Sequence, residues 1–479
     1  MSLLTHRLLK LFATEINNNT SALRWIDLYA SQYIIDEFTH AEQKLADEFI
    51  ALSVLASFVS SRGQTYLDLN DLPADVLPYR FEDIPVTQRE QSLSQLQPVN
   101  FIETDPSIVF PLEDVAVQHD NEIAQPLVLW NQRLYLARYW RLQQILEQWL
   151  FEQSITSPAL SSSHVLPLQE QLKAVFSNAY QINQADQTEQ ANESEVGREI
   201  DWQAVAAAHT LSQNFSIITG GPGTGKTTTA ASILYLLMQR HILQMKDAVF
   251  KEAKPDARLS VRLLAPTGKA AVKLADSIRH QLVSIENRLL GTDVKSIRMS
   301  DCLPETGETI HRFLYDCGAL RESLNHHKQF SSAEVLLGKQ ESRKAQLDII
   351  MIDEASMIDL ALMVELIKVI PDSTQVILLG DHHQLPAVEP GQVFAGMVER
   401  YISRAYPSEF ANSLSQLTSF SASDLAQGSL ISDKPIDTQL PEANAKSLSQ
   451  YHPLCQLRKT YRFSGDLKTA AEQIKNGDV

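Results

Sequence analysis

Short apolar runs recur along the second half of the chain, and each of them ends in a polar or glycine-containing turn. The clearest runs occupy residues 215–218, 261–264, 349–352 and 376–379. Segments with a helical pattern separate them. Such runs indicate strands that are buried on both faces, so we predict a parallel sheet in an α/β domain. Ligands of such sheets bind at the carboxyl ends of the strands.

The first 150 residues show a different pattern, in which apolar residues are spaced three and four apart. One helical face of this kind consists of Leu45, Phe49, Leu52, Leu55 and Phe58. Residues 127–129 and 134–136 indicate a small hairpin that leads into a helix near Trp140. No group of catalytic residues stands out here. We therefore predict a mostly helical N-terminal domain, residues 1–150, that docks on another protein.

Two polar stretches interrupt the apolar pattern. Residues 153–200 are rich in Ser, Gln, Asn and Glu, which predicts a linker with a short helix near residues 169–176. A second stretch, about 408–450, predicts a surface insertion. The expected order is an N-terminal domain (1–150), a polar linker (151–200), an α/β domain (201–400) and a final part with the insertion (401–479).

Charge is distributed unevenly between these parts. The 479 residues include 41 Lys and Arg and 58 Asp and Glu, which gives a formal net charge of −17. Residues 1–200 hold 12 basic and 27 acidic side chains (−15), whereas residues 201–479 hold 29 and 31 (−2). The acidity of the whole chain therefore does not exclude a nucleic-acid ligand for the second part.

Cysteine spacing and hydropathy bear on the compartment. Cys302, Cys317 and Cys455 lie far apart without metal-ligand spacing, which favours free thiols in a reducing compartment. No apolar run reaches the roughly 18–20 residues that span a membrane, and the N-terminus lacks the pattern of a signal peptide. We therefore expect a cytoplasmic protein.

A glycine-rich segment directly after the first predicted strand matches the pattern G-x-x-x-x-G-K-[ST]. The candidate nucleotide-binding residues are Gly220, Gly221, Pro222, Gly223, Thr224, Gly225, Lys226, Thr227 and Thr228. A helix-forming segment follows, as this pattern requires. Backbone amides of such a loop surround phosphates, and the helix N-terminus favours negative charge. We predict that Lys226 contacts the β and γ phosphates of ATP and that Thr227 binds Mg²⁺.

Adjacent carboxylates follow another predicted strand. Asp353 and Glu354 come directly after residues 349–352. Because ligands of such a sheet gather at the strand ends, we predict that Asp353 binds the metal together with Thr227. Glu354 would then polarise the attacking water.

Gly380, Asp381 and Gln384 follow a further apolar run. The amide of Gln384 can donate to a γ-phosphate and accept from the attacking water, so it would distinguish ATP from ADP and take part in catalysis. His382 and His383 lie between them, but no ligand partners stand at suitable spacing. Surface polar side chains are thus favoured over a metal site.

Two segments suit contact with nucleic acid. Residues 251–300 hold 10 basic and 5 acidic side chains, the most basic stretch of the chain. The strand at 261–264 is followed within it by the candidate DNA-binding residues Pro266, Thr267, Gly268 and Lys269. Further along, His311 and Arg312 offer polar and cationic contacts, and Phe313 offers a ring on which a base can stack. An ordinary amphipathic helix is an equally good interpretation of this last segment.

Cations and aromatic residues cluster near the C-terminus, at residues 457–463. An arginine that reaches the γ-phosphate from a second lobe stabilises the charge of the transition state, and Arg462 is the candidate. A basic surface helix is the alternative interpretation of this cluster.

In this order the motifs resemble those of superfamily 1 helicases, and specifically the RecD family, the alpha subunit of exodeoxyribonuclease V. The segments that carry the resemblance are 201–208, 220–229, 263–271, 349–359, 380–391 and 457–463. Residues 201–208 resemble the adenine-recognising segment of the family, with Gln203 at the adenine edge. Residues 133–140 resemble a segment of the RecD N-terminal domain, which generic superfamily 1 helicases lack.

The resemblance implies a DNA-dependent ATPase that uses ATP and Mg²⁺ and moves 5′ to 3′ on single-stranded DNA. Such subunits work in the RecBCD heterotrimer, which processes double-strand breaks for recombinational repair. Their N-terminal domain docks on RecC, and RecB provides the nuclease. ATP would bind between two RecA-like lobes, with Lys226, Thr227, Asp353 and Glu354 in the first lobe and Arg462 in the second.

One departure from the family pattern concerns length, because family members continue through a second RecA-like lobe and this sequence ends at Val479. We therefore expect an α/β architecture with one P-loop RecA-like lobe, an N-terminal domain and only the start of a second lobe. The chain alone is expected to bind ATP weakly and not to unwind DNA. Two alternatives stay open: a stand-alone RecD-like helicase, and a non-motor interaction subunit with an ATP site.

Overall fold

The computed structural model describes most of the chain in segments that include both predicted domains. The described residues are 9–10, 12–13, 16, 23–38, 47–72, 99–101, 126–155, 162–176, 200–250, 259–290, 303–317, 347–384, 387, 389–430 and 451–459.

Helices and strands alternate through most of the described chain. The described helices are α1 (Trp25–Phe38), α2 (Asp47–Ser61), α3 (Ala137–Ile155), α4 (Ser162–Val175), α5 (Trp202–Ser212), α6 (Lys226–Phe250), α7 (Gly268–Leu290), α8 (Ile310–Asp316), α9 (Leu360–Val369), α10 (Val393–Ile402), α11 (Ser408–Thr418) and α12 (Ala422–Ser429). The described strands are β1 (Tyr66–Asp68), β2 (Val99–Phe101), β3 (Leu127–Trp130), β4 (Arg133–Leu136), β5 (Phe215–Gly220), β6 (Val261–Ala265), β7 (Glu308–Thr309), β8 (Ile349–Ile352), β9 (Gln375–Gly380) and β10 (Leu454–Leu457).

The N-terminal unit packs α1 and α2 against a four-stranded sheet of order β1-β4-β3-β2. The predicted hairpin is confirmed as the antiparallel pair β3–β4. Its two-residue turn consists of Asn131 and Gln132, both with positive φ (47° and 59°), which matches the twist of the flanking strands. The apolar pattern predicts this hairpin and the helix α2, but it indicates neither β1 nor β2.

A second sheet contains six parallel strands in the order β10-β5-β9-β8-β6-β7. All residues of β5, β8 and β9 are buried, as their uninterrupted apolar runs predicted. Helices α5, α6, α7 and α11 pack on one face, whereas α3, α8, α9 and α10 pack on the other. The predicted parallel α/β domain is thereby confirmed.

Helix α3 extends across the boundary predicted at residue 150. It starts at the end of β4 and continues onto the six-stranded sheet, where the ring of Trp149 meets that of Phe215 edge-on at 5.0 Å. Glu147 forms an ion pair with Arg400 of α10, and both side chains are largely buried. A single helix therefore joins the N-terminal unit to the α/β domain.

The two polar stretches also contain ordered structure. Within the predicted linker, α4 buries Leu168 and Leu172 against the α/β core, because its few apolar residues lie on one helical face. Within the predicted insertion, α11 buries Phe410 and Leu414 in the same core. Described parts of both stretches thus belong to the α/β domain, in place of a linker and a surface insertion.

Strand β10 changes the position of the predicted lobe boundary. It pairs in parallel with β5, so that Leu457 lies opposite Gly220 at the start of the glycine-rich loop. The six-stranded sheet therefore extends to Leu457 and does not end near residue 400. Arg462 and the rest of the predicted second lobe lie outside the described residues.

Two further expectations can be compared with the described part of the chain. None of its helices has both the length and the apolar character needed to cross a bilayer. Cys317 and Cys455 are free thiols, half-buried and buried respectively. Burial raises the pKa of the Cys455 thiol to about 12, which keeps it protonated and unreactive.

Candidate nucleotide-binding site

Three loops meet at one edge of the six-stranded sheet. The glycine-rich loop follows β5, the acidic pair follows β8, and the turn that contains Gln384 follows β9. Because β9 lies between β5 and β8, the carboxyl ends of these strands are neighbours. The fold therefore brings together three motifs that are separated by up to about 160 residues in the sequence.

The glycine-rich loop links β5 to α6 and is held by its own side chains. Gly223 and Gly225 have positive φ (79° and 85°), which lets the loop turn back on itself. The ammonium of Lys226 donates to the carbonyls of Gly220 (2.6 Å) and Gly221 (3.3 Å). Thr224 Oγ1 also donates to Gly221 O, at 2.9 Å. The lysine is thus placed at the mouth of the loop, beside the N-terminus of α6.

The remaining candidate residues of the glycine-rich loop differ in their exposure to solvent. Thr227 is half-buried in the first turn of α6, and Pro222 and Thr228 are exposed. Thr229, which the sequence analysis did not select, donates its hydroxyl to Gly225 O at 3.0 Å and so fastens the loop to the helix.

Asp353 and Glu354 form a tight acidic turn after β8. The amide of Glu354 donates to Asp353 Oδ1 at 2.9 Å, and Glu354 has a left-handed backbone (φ 54°, ψ 39°). A non-glycine residue in this region is strained and is common at functional sites. Burial raises the pKa of Asp353, although the Glu354 amide and the ammonium groups of Lys226 and Lys273 lower it.

The pKa of Glu354 is raised for similar reasons. Burial and the neighbouring Asp353 raise its pKa, whereas Lys226 and Lys273 lower it. Lys226 of the glycine-rich loop therefore acts electrostatically on both carboxylates. Lys273 was missed by the sequence analysis. Its signal was available, because it lies four residues after Lys269, on the same face of α7.

The turn after β9 is fastened at two points. Asp381 is buried, its Oδ1 accepts from the His383 amide (3.1 Å), and its carbonyl accepts from the Gln384 amide (3.1 Å). His382 Nδ1 lies 2.8 Å from the hydroxyl of Thr219, the residue before the glycine-rich loop. His382 is therefore a half-buried contact between two loops, not the surface side chain that was expected. Among the described residues, no three or more His, Cys, Asp or Glu side chains are grouped so that they could hold a metal ion.

Helix α5 lies beside the glycine-rich loop. Asp201 caps its N-terminus by accepting from the amides of Gln203 (3.0 Å) and Ala204 (3.4 Å). Gln203 Nε2 donates to Thr224 O at 3.0 Å. The predicted adenine-recognising residue thus contacts the loop predicted to bind the phosphates, while its amide oxygen can act as an acceptor.

The two segments predicted to contact DNA are neighbours in the fold. Strands β6 and β7 pair so that Ala265 lies opposite Thr309, which brings residues 266–269 next to the start of α8. Thr267, Gly268, Lys269, His311 and Arg312 are exposed, and Pro266 is half-buried.

The aromatic residue of this segment is placed differently from the expectation. Phe313 is 5% exposed and packs in the core below β6, because α8 turns this face towards the sheet. It cannot stack on a base from that position. Tyr315, on the outer face of the same helix, is 45% exposed.

Comparisons with known proteins find similarity in both parts of the chain. A family profile described as the RecBCD enzyme subunit RecD, N-terminal domain, matches residues 19–135, and one described as an AAA domain matches residues 203–390. The chain is 35% identical to the RecBCD enzyme subunit RecD of Haemophilus influenzae, over 46% of this chain and 29% of that protein. The two profiles and the RecD relatives together support assignment of the chain to the RecD family.

Other RecD relatives extend the similarity along the chain. The RecBCD enzyme subunit RecD of Buchnera aphidicola subsp. Schizaphis graminum is 27% identical over 72% of this chain and 45% of its own length. The ATP-dependent RecD2 DNA helicase of Deinococcus radiodurans is 28% identical over 36% of this chain and 16% of its own length. The chain thus spans less than half the length of these RecD relatives.

Proposed function

We propose that this RecD-family chain is the helicase and translocase subunit of a RecBCD (exodeoxyribonuclease V) complex. It would hydrolyse ATP to move 5′ to 3′ on single-stranded DNA during the repair of double-strand breaks. The observation that supports this most strongly is the meeting of Lys226, Asp353, Glu354 and Gln384 at one sheet edge, in a chain that also matches the RecD N-terminal profile.

The phosphates of ATP would bind at the glycine-rich loop. Amides of the loop and the N-terminus of α6 favour anions there, and the ammonium of Lys226 would exchange its carbonyl partners for phosphate oxygens. The amide oxygen of Gln203 would accept from the exocyclic amine of adenine, since its amide nitrogen Nε2 already donates to Thr224 O.

The donor set near the phosphates suits Mg²⁺. The hydroxyl of Thr227 and a carboxylate oxygen of Asp353 are the hard oxygen ligands that this ion prefers. When bound, Mg²⁺ neutralises charge on the β and γ phosphates.

Water activation would fall to Glu354 and the detection of the γ-phosphate to Gln384. Burial and Asp353 raise the pKa of Glu354, which makes its carboxylate a stronger proton acceptor, and the ammonium groups of Lys226 and Lys273 limit this rise. Gln384 is exposed at the mouth of the site, on a turn tied to the glycine-rich loop by His382 and Thr219.

An arginine from beyond β10 would complete the site. Leu457 lies opposite Gly220, and Arg462 follows five residues later in the sequence. Five residues of extended chain span at most about 18 Å, which is enough to reach the phosphate end of the site. This supports the assignment of Arg462 as the residue that stabilises the charge of the transition state.

The test is the DNA-stimulated ATPase activity of the chain assembled with the RecB and RecC subunits of its own organism. The rate of a matched assembly without this chain is subtracted. We expect Lys226→Gln to abolish the remaining rate and the 5′-to-3′ movement. Equal rates for the two forms would remove the motor function and favour an interaction subunit.

A stand-alone helicase is the second candidate, because the chain is also similar to the RecD2 helicase of Deinococcus radiodurans. The match to the RecD N-terminal profile favours the complex. Co-purification with RecB and RecC from the source cells would support the first candidate. Unaided DNA unwinding without these partners would support the second.

A further inference from the structure

Arg458 connects three elements of the α/β domain: β10, α5 and α12. It follows β10 directly, and its guanidinium lies over the ring of Trp202, 4.5 Å from the centroid. The same group donates to the carbonyl of Gly428 in α12 and to that of Leu430 (3.3 Å), just beyond the end of that helix. A planar guanidinium suits both tasks at once, since it can stack on a ring while its edge donates hydrogen bonds.

The backbone of Arg458 is fixed relative to the phosphate end of the site. Its neighbour Leu457 pairs with Gly220, the first residue of the glycine-rich loop. Any side chain that Arg458 holds is therefore positioned with respect to that loop.

Trp202, the side chain that Arg458 holds, belongs to the base end of the site. It is the first residue of α5 and precedes Gln203, whose amide nitrogen donates to Thr224 O at 3.0 Å. Gly428 lies close to the edge of the same ring, where an added Cβ would lie 2.9 Å from Trp202 Cζ2. Glycine at this position thus leaves the space that the ring needs beside α12.

We propose that Arg458 is a positioning residue of the nucleotide site, which clamps Trp202 so that Gln203 keeps its orientation towards the glycine-rich loop. This proposal rests on the proposed function, because it assumes that adenine binds at Gln203. The loop itself is held by independent bonds of Lys226, Thr224 and Thr229. Loss of the clamp should therefore affect recognition of the base more than binding of the phosphates.

The experiment measures dissociation constants of ATP and of inorganic tripolyphosphate, both with Mg²⁺, for the full 479-residue chain. Arg458→Met keeps much of the side-chain volume but removes the cation and the donors. Gly428→Ala crowds the edge of the Trp202 ring and keeps the Arg458 side chain. Arg279→Met is the matched control. Arg279 lies on α7 and also donates to two backbone carbonyls, Pro304 O (2.6 Å) and Glu305 O (2.9 Å).

We expect Arg458→Met and Gly428→Ala to weaken ATP binding about fivefold and tripolyphosphate binding less than about twofold. Arg458→Lys, which keeps the cation but not the planar fork, should lie between wild type and Arg458→Met. Arg279→Met should leave both constants unchanged. Melting temperatures measured in parallel separate these effects from a general loss of stability.

Two results would overturn the inference alone. One is wild-type ATP affinity in Arg458→Met, and the other is an equal loss of affinity for ATP and tripolyphosphate. A wild-type chain that binds neither ligand would instead overturn the proposed function, and the inference with it.

Discussion

The ion pair between Glu147 and Arg400 gives a quantitative test of how the N-terminal unit is joined to the α/β domain. The two side chains are 17% and 16% exposed, and they link α3 to α10. Burial lowers the pKa of Arg400, whereas Glu147, Tyr401 and Tyr451 together raise it, and the net direction is upward. Removal of one partner from such a pair leaves an uncompensated buried charge.

Glu147→Gln should therefore be strongly destabilising. Breaking a fully buried pair costs about 3–5 kcal/mol, and the residual exposure of both groups reduces the expected loss to about 2–3 kcal/mol. With a urea dependence of about 2–3 kcal/mol per molar, the unfolding midpoint should fall by roughly 1 M. The assay is urea unfolding followed by tryptophan fluorescence, because Trp149 lies two residues after Glu147 in α3 and packs on Phe215.

Glu365→Gln is the matched control. Glu365 and Lys368 form an ion pair of 2.8 Å, but their side chains are 41% and 46% exposed. Its loss should cost no more than about 0.5–1 kcal/mol. A double variant, Glu147→Met with Arg400→Met, should recover most of the stability, since both charges are then absent. If Glu147→Gln unfolded at the same urea concentration as the control, α3 would not be fastened to the α/β domain in this way.

Three further changes test separate parts of the structure. Gly391→Ala should destabilise the chain by more than about 2 kcal/mol, because φ is 102° and the new Cβ would lie 2.4 Å from Leu360 Cβ; thermal unfolding at wild-type level would contradict this. Asp353→Asn should be more stable than wild type at pH 7, since burial raises the pKa of Asp353 and the charged form therefore opposes folding. That difference should shrink as pH falls through the raised pKa of Asp353 and vanish below the pKa of the unfolded chain. A difference independent of pH, in melting curves at several pH values, would refute the reasoning. Lys269→Ala should weaken single-stranded DNA binding for all sequences and reduce the salt slope by about 0.7, if the exposed ammonium contacts one phosphate; an unchanged slope in salt titrations would remove Lys269 from the interface.

Features specified by local sequence were predictable. Strands β5, β6, β8 and β9 are apolar runs that end in polar turns, and the glycine-rich loop carries its own pattern. The convergence of Lys226, Asp353 and Gln384 follows from parallel pairing, because every strand then presents its carboxyl end at the same edge.

Features that depend on distant contacts were not predictable. Strand β10 is short and includes Gln456, so nothing in the local sequence indicates that it pairs with β5 and extends the six-stranded sheet. Helix α11 lies in a polar stretch, and only the spacing of Phe410, Leu414 and Leu417 marks its buried face. For α8, the pattern could not decide which face meets the sheet, and the structure buries Phe313.

Contacts between loops form a third class. His382 and Thr219 are separated by 163 residues, and a histidine beside a glycine-aspartate turn gives no signal that it bonds a hydroxyl on another strand. Nor does the local sequence signal that the guanidinium of Arg458 stacks on the ring of Trp202. Such side chains become visible only once the sheet order is known.

The central claim is that the loops after β5, β8 and β9 form one Mg²⁺-dependent ATP site. Calorimetric titration of the chain with ATP, in the presence and absence of Mg²⁺, tests it most directly. We predict one site per chain that weakens without Mg²⁺ and disappears in a folded Lys226→Met variant. Equal binding of ATP by wild type and Lys226→Met would contradict the claim.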